Sequence, residues 1–75
     1  MPVIRLSLTR EDVTREKKQE LIRQFTDTIV NVLGKDPHLT HVIIEEVDLD
    51  NWGYAGDQTS VLREKGITAD KKATN

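Results

Sequence analysis

The chain has 75 residues, with 11 Lys and Arg against 13 Asp and Glu, and no Cys. That length bounds it to a single domain, the slightly acidic balance argues against a nucleic-acid partner, and the lack of cysteine rules out disulfide staples and thiolate metal sites. No apolar run reaches the length of a membrane span, and no charged region followed by an apolar stretch marks a signal peptide, so the expected location is the cytoplasm.

In chain order, Pro2 to Leu8 predicts a strand, because Ile4, Leu6 and Leu8 alternate with Arg5 and Ser7. Thr9 to Val13 reads as a polar loop. Thr14 suits the cap of a helix running to about Leu33. Leu21, Ile22, Phe25, Ile29, Val32 and Leu33 recur at helical spacing as one apolar face. Arg15, Glu16, Lys18, Glu20 and Arg23 read as its solvated remainder. Gly34 suits the left-handed position after a helix, and Pro37 blocks continuation. His41 to Val47 is a second strand, rich in β-branched residues. Asp48 to Asn51 reads as a polar turn, Gly53-Tyr54-Ala55-Gly56 as a tight turn or hairpin, and Val61-Leu62 as a short pairing segment. From Gly66 onward the chain is polar and without periodicity. The expected organisation is one domain over residues 1–64 and a polar tail over 65–75.

Strand, helix, strand is an α/β arrangement, a βαβ unit with parallel strands and a right-handed crossover. One helix covers only one face of such a sheet, and parallel strands are usually buried on both. A chain this short, without staples, has little surface to spare for covering Val42-Ile43-Ile44. Self-association is expected, with the strands of one protomer joining those of a second in a shared sheet.

The Met1-Pro2 start bears on chemistry. Aminopeptidases remove Met before a small residue, which would leave proline with a free secondary amine. Proline is also tolerated at a strand start simply because its missing N–H costs nothing there. An α-amino group titrates near neutral pH, and apolar burial or nearby cations lower its pKa, giving the poised base that proton abstraction beside a carbonyl needs. Trp52 and Leu8 are candidates for the burial, Arg5 and Arg10 for the charge. Arg10, flanked by Glu11 and Asp12, reads either as a surface ion pair or as a clamp for a substrate carboxylate; Arg15 is a second candidate for that clamp. Trp52 reads as an interface anchor or as a pocket wall. His38 and His41, near Glu45 and Glu46, do not predict a metal site, because a strand points alternate residues to opposite faces.

Pro2 opening a short strand, Glu16-Lys17-Lys18-Gln19-Glu20-Leu21-Ile22, Val42-Ile43-Ile44-Glu45-Glu46-Val47 and Asp50-Asn51-Trp52-Gly53-Tyr54-Ala55-Gly56 occur in that order. The set resembles the 4-oxalocrotonate tautomerase family, also called 2-hydroxymuconate tautomerases, over about residues 2–64. The resemblance implies a βαβ protomer with a short C-terminal hairpin, dimers that assemble into hexamers, and proton transfer without cofactor or metal. It implies that Pro2 is the catalytic base and shifts a proton between carbons of an enol or dienol carboxylate. By the same resemblance Arg10 engages a carboxylate, Trp52 supplies an apolar wall, and His41 stands where the family has an arginine reaching in from a neighbouring subunit. Two departures, that histidine and Ala55 in place of a glycine, bear on the substrate more than on the reaction class. The alternatives are a hydratase or dehalogenase of unsaturated acids using the same proline, and a non-catalytic oligomeric binding module of the same fold.

Overall fold

The computed structural model describes residues 1–68. Its elements are β1 (Val3–Thr9), α1 (Arg15–Leu33), β2 (His41–Val47), β3 (Gly53–Tyr54), β4 (Asp57–Gln58) and α2 (Thr59–Glu64). Two short 3-10 turns, Pro37–Leu39 and Leu49–Asn51, stand before and after β2. The architecture is the expected βαβ unit followed by a hairpin, with a short helix after it.

Local chemistry sets the element ends. Thr14 stays extended, and its hydroxyl accepts the Lys17 N–H at 3.2 Å, satisfying one of the unpaired donors of the first turn of α1. Gly34 closes α1 in the left-handed region at φ 66° and donates to the Val30 carbonyl at 2.9 Å. Asp36 then caps the turn that begins at Pro37. Ala55 and Gly56 both have positive φ, 53° and 81°, the turn geometry whose twist matches the two strands β3 and β4.

β1 and β2 pair in parallel from Val3 beside His41 to Thr9 beside Val47. The ladder is extended at both ends, by His41 N–H to the Pro2 carbonyl at 3.0 Å and by Arg10 N–H to the Val47 carbonyl at 2.8 Å. Alternation sorts the faces. Ile4, Leu6, Leu8, Val42, Ile44 and Glu46 are half-buried on one side, where Lys18 of α1 reaches Glu46. Val3, Arg5, Ser7, His41, Ile43 and Glu45 lie on the other side, exposed.

A single protomer has almost no interior. Among the described residues only Thr59 and Leu62 are buried, both in α2. Leu21, Phe25 and Ile29 of α1 are half-buried, but Ile22, Val32 and Leu33 of the same predicted face remain exposed. The apolar face of α1 is wider than the two strands beneath it. Among the described residues no helix is long and apolar enough to cross a membrane.

Val61 and Leu62 are helical rather than strand-paired. The amide and the hydroxyl of Thr59 both donate to the Trp52 carbonyl, which turns the chain out of β4 into α2 and carries Leu62 under the hairpin. Two adjacent apolar residues are too few to separate a strand from a helix by period. Beyond α2, the Ile67 N–H donates to the Leu62 carbonyl, and Tyr54 donates to the Ile67 carbonyl at 3.5 Å. The part of the expected tail after Thr68 lies outside the described residues.

Candidate active site

The predicted site residues fall at two ends of the sheet. At one end, Pro2 is half-buried at the head of β1, its carbonyl held by the His41 N–H. Met1 precedes the strand and is 79 % exposed. His41 is adjacent through its backbone only. Its imidazole belongs with Val3 on the exposed face, whereas Pro2 falls in the half-buried phase with Ile4.

Arg10 and Trp52 are at the other end. Pro2 and Arg10 are separated by the length of β1, roughly 25 Å at a strand's rise per residue. Arg10 donates from Nε to Asp48 at 2.7 Å and from Nη2 to the Glu46 carbonyl at 3.4 Å. The Asp48 hydrogen bond and charge raise its guanidinium above the ordinary pKa. Arg15, at the first turn of α1, is exposed and has no ion pair among the described residues. Arg5 is spent in mid-sheet on Glu45, at 3.2 Å.

Trp52 ends the turn Leu49–Asn51, and its carbonyl takes both donors of the buried Thr59. Trp52 borders a cleft of about 420 Å³ lined also by Thr9, Glu11, Tyr54, Thr59 and Arg63. Glu11 accepts from the Thr9 hydroxyl and is ion-paired with Arg63. Arg63 first, then Thr9, holds the Glu11 carboxyl below the usual carboxylate range. A second groove, of about 520 Å³, runs along the hairpin beside Asp50, Asn51, Asp57 and Gln58. Neither opening includes Pro2. Among the described residues no three His, Asp or Glu side chains gather as a metal site.

Within one protomer Pro2 thus stands apart from the Trp52 cleft. Glu11, Tyr54, Thr59 and Arg63 were not singled out from the sequence. Arg63 in particular is brought to the cleft by α2, where a pairing strand was expected.

The sequence model of the family described as Tautomerase enzyme matches residues 2–61. The Probable tautomerase K2 of Dickeya dadantii is 42 % identical over 65 residues, covering 87 % of this chain and 97 % of that protein. The crystal structure of DmpI from Helicobacter pylori superposes with a TM-score of 0.76 at 40 % identity, over 84 % of this chain and 97 % of that one. That of TTHB242, a 4-oxalocrotonate tautomerase homologue, superposes with a TM-score of 0.72 at 33 % identity, over 80 % and 94 %. With most of both chains aligned, at the level of sequence and of fold, the chain belongs to the tautomerase family, with the 4-oxalocrotonate tautomerase fold.

Proposed function

We propose that the protein is a cofactor-independent tautomerase in which Pro2, freed by loss of Met1, is the general base. The secondary amine removes a proton from an enol or dienol carboxylate and returns it to another carbon of the conjugated system, leaving the conjugated ketone. One group serves as base and then as acid, so its pKa must lie near the working pH. The observation that carries this reading is the fixed place of Pro2, pinned through its carbonyl at the head of β1 next to an exposed Met1.

The catalytic unit is an oligomer. Among the described strands β1 and β2 pair only with each other, and Val3 and Ile43 stand exposed on the face away from α1. Antiparallel pairing of β1 with β1 of a second copy sets the Pro2 end of each protomer beside the Arg10 and Trp52 end of the other. Trp52 then excludes water from the amine, and arginine receives the substrate carboxylate. Dimers of this kind stack into a hexamer, covering the open face.

The test is a homogeneous preparation that retains Met1, compared with the processed protein on a panel of enols followed by UV absorbance. Acylation of the proline nitrogen by methionine removes its basicity. Turnover should fall on the order of 10²-fold or more. Equal turnover in the two preparations would refute Pro2 as the base.

A further inference from the structure

The Trp52 cleft carries more than an apolar wall. Its two charged groups, Glu11 and Arg63, face each other across it as an ion pair, with the Thr9 hydroxyl donating to the same carboxylate. Arg63 and Glu11 come from separate elements, α2 and the loop after β1. Both side chains are more than 40 % exposed, and an ion pair so open to solvent is weakly held. Arg10 does not line the cleft, and its guanidinium is turned to Asp48 and the Glu46 carbonyl.

We propose that this cleft is a carboxylate subsite: Arg63 takes the carboxylate of a planar conjugated acid, the Trp52 ring lies along its π-face, and Glu11 is an internal stand-in which that carboxylate displaces. As the place where an enol substrate is anchored, the subsite rests on the tautomerase reading above. As a binding site it does not need turnover. The chemistry is an exchange of like for like. A guanidinium has five N–H donors in a planar fork, and the ion pair with Glu11 engages it through Nη1. A ligand carboxylate satisfies the same donors while its conjugated body covers the indole. Thr9 and Tyr54 complete the lining, and the buried Thr59 fixes the Trp52 backbone by two hydrogen bonds. The volume of about 420 Å³ lies in the range of small-ligand sites, about 300–1,000 Å³.

The competing account is that Glu11 and Arg63 merely latch the loop after β1 to α2. The two accounts predict opposite signs for one substitution. Trp52 is the chain's single tryptophan and sits in the cleft, so its fluorescence reports occupancy directly. The full-length processed protein is titrated with sorbate, a non-reacting dienoate, and with the uncharged amide of the same acid.

Sorbate should quench saturably and bind about tenfold more tightly than the amide, because its hydrogen bonds to Arg63 are charge-assisted. Arg63→Gln should abolish that preference. Glu11→Gln should tighten sorbate severalfold by removing the internal competitor. Absence of saturable quenching, a preference retained in Arg63→Gln, or sorbate binding unchanged or weakened in Glu11→Gln overturns the subsite. Should Arg63→Gln fail to fold by circular dichroism, the direction of the Glu11→Gln effect decides alone. Enol turnover measured in parallel separates the two readings. A chain that binds sorbate as expected but turns over no enol sinks the proline base and leaves the subsite standing. An active chain whose cleft ignores sorbate does the reverse.

Discussion

The two ends of the β1–β2 sheet are built on different principles. The end that carries Pro2 and His41 is held by backbone hydrogen bonds and, among the described residues, has no buried residue of its own. The end that carries Arg10 and Trp52 has a second helix, a hairpin turn, both buried residues of the described chain and a cleft. Pro2, the proposed base, is fixed in position and half-buried, away from the cleft. The cleft at the second end is shaped yet does not include Pro2. Under the proposed function, the division makes the active site a contact between protomers, each end supplying the half that the other lacks.

The strongest way to break this comparison is to divide the two halves between chains. A Met1-retaining parent, lowered on the order of 10²-fold, is unfolded and refolded together with a processed Trp52→Ala parent. If sites form in trans, mixed oligomers pair a free proline with an intact tryptophan, and the mixture exceeds the sum of its parents. A mixture that only averages them places both groups of each site on one chain.

Truncating the small core tests whether the Trp52 end stands by itself. Leu62→Ala should cost about 2–5 kcal/mol, the usual penalty for emptying a buried leucine site. Urea unfolding followed by Trp52 fluorescence reads that end of the molecule. A midpoint unaltered by the substitution would mean that Leu62 is not the residue that secures α2 under the hairpin.

A gentler change sharpens the assignment of the other end. His41 stands on the exposed sheet face, where the resemblance implies an arginine reaching toward a neighbouring subunit. His41→Arg should improve kcat/KM on a dicarboxylated dienol by very roughly tenfold, since a charge-assisted hydrogen bond is worth about 1 kcal/mol more than a neutral one. The ratio of activities on dicarboxylated and monocarboxylated enols reports it. An unchanged ratio would remove His41 from the substrate's surroundings.

The smallest expected effect is on pH. Glu46 is held below the usual carboxylate range first by its hydrogen bond from Lys18, which ties the far end of β2 to α1. A depressed carboxylate pKa contributes stability that is present above the unfolded value, about 4.3, and is lost as pH falls through the folded value. Glu11 and Glu20 are shifted the same way, by Arg63 and Arg23. The urea midpoint should therefore fall on acidification from neutrality to below about pH 4, and Lys18→Met should flatten part of that fall. Identical acid dependence in the variant would show that the Lys18–Glu46 pair contributes nothing.

Much of this was written in the sequence. The period-two alternation of Ile4, Leu6 and Leu8 and the run His41 to Val47 gave both long strands, because strand register is a local pattern. Thr14 and Gly34 marked the ends of α1 because capping depends on one residue's side chain or on its lack of one. The family, too, could be read from short ordered segments. What only the tertiary structure decided is which side chains share a place. Val61 and Leu62 became helical because Thr59 found the Trp52 carbonyl, a partner seven residues back that no periodicity encodes. The same turn delivered Arg63 to Glu11 and made a cleft of residues as far apart in the chain as Thr9 and Arg63. The separation of Pro2 from Trp52, by contrast, follows from the parallel topology that the sequence already predicts. A parallel pair joined by a helical crossover sends both strands the same way, so the start of β1 and the segment following β2 must lie at opposite ends of the sheet.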